Sequence, residues 1–167
     1  MIFSEEYYNL TTYLTLRELC MTGYTNSVGE ILEQRKPNIH YNDDKCLRMA
    51  VLNNHTDIVK ILLEYGANVH CDKDSPIIRA SENGFDEIVS ILINYGADIN
   101  AENGSPIIEA SRNGHFGTVK LLLEANCNIP PKSLEWASYN KHQDIVKLLL
   151  DHGADESNLH KCKCILL

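Results

Sequence analysis

Three of the seven histidines, His55, His115 and His142, are the first candidates for catalysis or metal binding, because they recur at one position of a repeating pattern. A zinc-binding helix places two histidine ligands four residues apart on one face. The three histidines here are separated by 60 and 27 residues, so each falls on a different copy of the pattern. We therefore predict turn histidines that hydrogen-bond to nearby backbone, and no metal site.

The six cysteines are the second set of residues with chemical potential. Four of them are scattered through the repeating pattern, and the chain is not the small secreted scaffold in which disulfides are dense. The sequence has no glycine-rich phosphate loop and no Gly-x-Ser-x-Gly elbow. We expect free thiols in a reducing compartment, the cytoplasm or a host cytoplasm. We also expect a protein that is not an enzyme and has no cofactor.

The end of the chain carries a possible lipidation signal. Cys164 is followed by two aliphatic residues and Leu167, the form of a prenylation box that favours geranylgeranyl. Cys162 lies where a second, palmitoyl chain often occurs, and two lipid signals anchor a protein more stably than one. The same segment also fits an unstructured end, or a cap in which residues 165–167 cover the last repeat. A metal clip that includes His160 lacks a fourth ligand.

Composition excludes several classes of function. The formal net charge of −8 and the lack of a basic cluster argue against a binder of nucleic acid, which needs a basic stripe. No apolar stretch approaches the roughly 20 residues of a membrane span. The N-terminus has no basic segment followed by an apolar run, so we expect no signal peptide.

The elements that position these residues belong to a cassette that recurs at a spacing of 30 residues. Gly66 and Gly96 occupy the same place in successive copies, and Asn126 and Gly153 follow at spacings of 30 and 27. Such a period indicates stacked supersecondary units, each burying its apolar face against the next. We predict an N-terminal cap over 1–12, a repeat domain over 13–156 and a tail over 157–167. The predicted units are 13–42, 43–72, 73–102, 103–129 and 130–156.

Each unit is predicted to contain two short helices, which we call helix A and helix B. In the third unit, helix A starts at Ser75-Pro76, because proline suits the first helical position, and ends near Asn83-Gly84. Helix B starts at Asp86, whose carboxylate favours the positive end of the helix dipole, and stops at Gly96. The segment 98–101 is too short for a helix, so we predict an extended hairpin segment there.

The wording of the cassette resembles the ankyrin repeat. Ser-Pro-Ile-Ile occurs at 75–78 and 105–108, and Tyr-Gly-Ala-Asp-Ile-Asn at 95–100. The resemblance covers about residues 14–156. It departs from the family in its period, 30 residues here against about 33, and in the helix-A histidine of the family. Arg48, Ile78, Ile108 and Glu135 replace that histidine. The short period is also similar to ankyrin proteins of giant DNA viruses that infect amoebae.

The resemblance implies an all-α repeat fold, an ankyrin solenoid of about five helix-turn-helix units with short β-hairpin-like connections. It also implies a surface that binds a partner protein through positions that vary between copies. The partner-binding residues that we predict are Met49, Leu52, Asp72, Asp74, Glu82, Glu102, Arg112, Trp136 and Tyr139. Four of these nine are acidic, so we expect a partner with a basic or amide-rich surface, bound by a monomer. The alternative is a soluble structural or competitor module without a lipid.

Overall fold

A computed structural model describes the backbone of residues 5–157 and residue 159, with side chains from residue 12 onward in that range. The lipidation box with Cys162 and Cys164 lies outside the described residues. The described part of the chain forms ten α-helices and no β-strand. In chain order they are α1 (Glu5–Thr22), α2 (Thr25–Arg35), α3 (Tyr41–Leu52), α4 (Thr56–Glu64), α5 (Cys71–Asn83), α6 (Asp86–Asn94), α7 (Ala101–Asn113), α8 (Phe116–Glu124), α9 (Pro131–Tyr139) and α10 (Gln143–Asp151).

The chain divides into two compact units, Met1–Pro76 and Ile77–Leu167. In the first unit, α1 packs against α2 and α3, and α4 packs against α2 and α3. In the second unit, α7 packs against α8 and α9, while α8 contacts α6 and α10. The odd-numbered helices are the helices A of the repeats, and the even-numbered helices are the helices B.

The predicted helix boundaries of the third repeat are confirmed. Helix α6 begins at Asp86, and Gly96 follows its end with a φ of 85°, in the left-handed region. Ile88, Val89 and Leu92 of α6 have no exposed surface, as the apolar sequence of helix B predicts. These side chains form part of the core of the second unit.

The connections between repeats differ from the predicted extended segments. Three successive residues adopt left-handed backbone at each of 42–44, 72–74 and 102–104, with φ between 49° and 85°. At 98–101 the chain forms a turn and then enters α7, so no strand is present there. The short period explains the difference, because a unit of 30 residues leaves too little chain for paired extended segments.

Buried polar contacts hold the first of these left-handed turns in place. The Asp44 side chain is buried and accepts a hydrogen bond from the backbone N–H of Asn68 at 2.9 Å. Its carboxylate also lies 3.1 Å from Nδ1 of His40. Left-handed backbone costs about 1–2 kcal/mol per residue with a Cβ, and Asp and Asn tolerate it better than other residues. The contacts of Asp44 offset part of that cost.

The first repeat has a register that the sequence comparison misplaced by one residue. The N–H of His55 donates to the carbonyl of Ala50, and the N–H of Tyr24 donates to the carbonyl of Leu19 in the same way. Leu19 therefore occupies the position of the recurring alanine, where we had placed Cys20. The spacing between these two repeats is 31 residues at this point.

Candidate functional site

The recurring histidines join successive repeats through the backbone. In the second unit, Nε2 of His115 donates to the carbonyl oxygen of Glu82 at 2.9 Å, and Nε2 of His142 donates to the carbonyl oxygen of Arg112 at 3.2 Å. In the first unit, His55 makes the same contact with Met21 at 3.0 Å. The prediction of turn histidines that bond to backbone is confirmed. Their partners lie one repeat away, so they tie neighbouring repeats together.

A recurring asparagine two residues before each histidine contacts the same region. Nδ2 of Asn113 donates to the carbonyls of Glu109 and Glu82, at 3.0 Å and 3.1 Å. Nδ2 of Asn140 donates to the carbonyl of Arg112 at 2.6 Å. These bonds satisfy carbonyls that the last turn of a helix leaves without intrahelical partners. The asparagine and histidine therefore fix the C-terminal ends of helices A, which carry most of the predicted partner-binding residues of the second unit.

Three of the predicted residues come together at the end of the second unit. The guanidinium carbon of Arg112 lies 4.6 Å from the centroid of the Trp136 ring, in a cation–π contact. The rings of Trp136 and Tyr139 are 5.8 Å apart and almost perpendicular. Tyr139 is 57% exposed and Trp136 is half-buried. We call Arg112, Trp136 and Tyr139 the aromatic cluster.

Two ion pairs lie on the helices A that precede Trp136. Nη1 of Arg79 contacts the Glu82 carboxylate at 2.6 Å, and Nη1 of Arg112 contacts the Glu109 carboxylate at 3.0 Å. Both pairs join residues three positions apart on one helix. Arg79 and Glu109 were missed from the sequence, although opposite charges at this spacing are a readable signal. Glu102 lies apart from these pairs, exposed in the left-handed turn at 102–104.

The predicted residues of the first unit form a different surface. Asp72 accepts a hydrogen bond from Nη1 of Arg48 at 2.7 Å, and Asp74 lies 2.7 Å from Nδ1 of His70 with only 17% of its side chain exposed. Leu52 is 45% exposed and Met49 is half-buried, both on α3. The exposed Met21 occupies the equivalent of Leu52 on α1, and the one-residue error in register hid it.

The described cysteines are buried thiols. Burial raises the pKa of Cys71 to about 12 and that of Cys127 to about 11. A hydrogen bond to the neighbouring thiol of Cys46, together with burial, raises the pKa of Cys20 far above its usual value. Because the thiolate is the reactive form, these groups suit packing better than nucleophilic chemistry.

Other functional classes find little support in the described part of the chain. No three His, Cys, Asp or Glu side chains there are grouped closely enough to hold a metal ion. None of the described helices has the length and apolar character needed to cross a membrane.

Comparison with known proteins agrees with the repeat pattern. A family model described as ankyrin repeats in three copies matches residues 16–103 and, again, 101–159. No curated protein matches the chain, so the narrower resemblance to viral proteins stays a prediction. Ankyrin repeats generally mediate protein–protein interaction, and the family is typically non-enzymatic. Because the family model covers most of the sequence and the described residues form only helices and their connections, the chain belongs to the ankyrin repeat family and has its all-α repeat solenoid fold.

Proposed function

We propose that this chain is a non-enzymatic scaffold that binds a partner protein, a host protein included, through the exposed side chains of its helices A. The aromatic cluster of the second unit carries the proposal. Trp, Tyr and Arg are the residues most enriched among those that dominate binding energy at protein interfaces. Here one of each lies within direct contact of the others, on helices whose ends the asparagine and histidine bonds hold.

The cluster is preorganised for contact. The Arg112 guanidinium covers one face of Trp136, and Glu109 holds Arg112 from the other side of the ion pair. A side chain that is already ordered loses less conformational entropy on binding, and each rotamer-rich side chain immobilised at an interface costs about 0.5–1.5 kcal/mol. A partner that covers Tyr139 and the free edge of Trp136 therefore gains from burial of aromatic surface without first ordering it.

Affinity capture followed by mass spectrometry tests this function. Wild type is compared with Trp136→Ala/Tyr139→Ala, and Tyr95→Ala/Phe116→Ala serves as the matched control. Tyr95 and Phe116 are 41% and 40% exposed but lie at helix B, away from the aromatic cluster. We expect the first double variant to lose partners that wild type and the control retain. Identical partner lists for all three proteins would contradict the assignment.

Membrane attachment is a separate part of the proposal. We propose that Cys164 receives a geranylgeranyl group, that Cys162 supports a second lipid, and that the protein works in the cytoplasm at a membrane surface. Cys164→Ser should abolish incorporation of labelled prenyl groups in a eukaryotic lysate and shift the protein to the soluble fraction. Unchanged fractionation would favour the alternative, a soluble structural or competitor module without a lipid.

A further inference from the structure

We propose that the aromatic cluster and the two adjacent ion pairs recognise a neutral, amide-rich peptide segment with one apolar anchor, and that Arg112 reads its amide carbonyls. The inference rests on the proposed function, because it names the chemistry of the partner at the same surface. We call the six residues that form it the helix-A surface. They are Arg79, Glu82, Glu109, Arg112, Trp136 and Tyr139.

The charges of the helix-A surface sum to zero and alternate in order. Arg79 precedes Glu82 on α5, whereas Glu109 precedes Arg112 on α7, so the cation and the anion exchange positions between repeats. Opposite charges 2.6–3.0 Å apart largely cancel each other at the Debye length of about 8 Å in physiological salt. A uniformly basic segment therefore gains little long-range attraction here, although the chain as a whole carries a charge of −8. Dipolar amide groups match a surface that offers both signs.

Arg112 is the residue of this surface best placed to determine specificity. Its side chain is 43% exposed, and among the described residues its side-chain hydrogen bonds go to Glu109 alone, all through Nη1. Nε and Nη2 keep donors for an incoming acceptor, while Trp136 holds the guanidinium plane. A carboxylate would meet repulsion from Glu109, 3.0 Å from Nη1, whereas a neutral amide carbonyl would not.

Tyr139 provides the place for the apolar anchor. It is the most exposed residue of the aromatic cluster, and its ring meets Trp136 edge to face. An aliphatic or aromatic side chain that packs against both rings is removed from water next to the Arg112 donors. Hydrogen bonds strengthen where water is excluded, so the anchor and the amide contacts support each other.

Selection from a phage-displayed library of random short peptides on the immobilised full chain tests this inference. Peptides that also bind Trp136→Ala/Tyr139→Ala are removed by counter-selection. We expect the remaining peptides to carry net charge near zero, to be rich in Asn and Gln, and to share one apolar residue. Enrichment of Lys- and Arg-rich peptides, or of acidic ones, would overturn the inference.

A charge exchange tests the role assigned to Arg112. The double variant Glu109→Arg/Arg112→Glu keeps an ion pair at the same spacing and the same net charge, but moves the cation away from Trp136. The matched exchange Arg79→Glu/Glu82→Arg makes the equivalent change on α5. We expect the first exchange to weaken binding of a selected peptide about tenfold or more, the loss expected for a hydrogen bond to a charged donor, and the second to change it little. Equal effects of the two exchanges would contradict the assignment.

The outcomes separate this inference from the proposed function. If peptides that depend on Trp136 are recovered but are strongly charged, the proposed surface stands and the partner chemistry is wrong. If selection recovers no peptide that depends on Trp136, and lysate capture is also insensitive to Trp136→Ala/Tyr139→Ala, both fail. Circular dichroism and melting temperature of every variant confirm that a loss of binding does not reflect unfolding.

Discussion

Replacement of Gly84 by alanine should cost clearly more stability than the same replacement at Gly96 in the same repeat. Both glycines have positive φ, 71° and 85°, so an alanine is strained at either position by about 1 kcal/mol. Their surroundings differ. A Cβ on Gly84 would lie 2.4 Å from Nδ1 of His115, whereas a Cβ on Gly96 has no atom within 4 Å.

The extra cost at Gly84 follows from the histidine that must move. Displacing the His115 ring breaks its 2.9 Å hydrogen bond to the Glu82 carbonyl, and such a bond contributes about 0.5–1.5 kcal/mol net. We therefore expect a loss of about 1 kcal/mol for Gly96→Ala and about 2–3 kcal/mol for Gly84→Ala. The unfolded-state effect of Gly→Ala is the same for both, so it cancels in the comparison.

Urea denaturation measures this difference, followed by circular dichroism and by the fluorescence of Trp136. Trp136 is the only tryptophan and lies in the second unit with both glycines, so its signal reports on the relevant part of the chain. In a His115→Ala background, Gly84→Ala should cost no more than Gly96→Ala, because the obstructing ring is gone. Equal costs of the two glycine variants in the wild-type background would refute the reasoning.

Three further predictions concern the core, the turns and the thiols. Ile88→Ala should lower the free energy of unfolding by about 2–5 kcal/mol, whereas exposed Glu87→Ala should change it by less than about 0.5 in the same urea titration. Asp44→Ala should cost about 2 kcal/mol, and Asp44→Asn less, because asparagine keeps an acceptor and tolerates left-handed backbone; equal losses would contradict this account. Stability should fall as pH rises from 9.0 towards 11, since the thiols of Cys71 and Cys127 ionise at their ordinary pKa of 9.0 when unfolded but only at about 12 and about 11 when folded. Urea titrations across this pH range should show a shallower fall for Cys71→Ala and Cys127→Ala, and an unchanged slope would refute the role of the thiols.

The helices were predictable because their signals are local. Pro76 at a helix start and Asp86 in a first turn act on the backbone within a few residues, so they place a boundary without any knowledge of the fold. The repeat spacing added the stacking of helices that are apolar almost all round. The left-handed turns at 42–44, 72–74 and 102–104 were not predicted, because a run of acidic and amide residues does not distinguish a tight turn from an extended segment.

The candidate site was only partly predictable for the same reason. Trp136, Tyr139 and Arg112 were identified as variable positions, and their direct contact depends on α7 packing against α9. The four acidic residues at the predicted surface suggested a negative groove, but Asp72 and Glu82 have arginine partners and Asp74 is largely buried against His70. Pairing depends on which side chains meet, and a count of charges does not contain that information.

The sequence by itself determined the family, the length of the repeat and the order of the helices, since each rests on periodic or near-neighbour patterns. Tertiary structure alone decided how the repeats are joined and how the surface is charged. The bonds from His115 and Asn113 to the preceding helix A, and the placement of Arg112 over Trp136, link residues 24 to 33 positions apart. Such contacts form only when stacking brings distant segments together, and they give this repeat protein its particular surface.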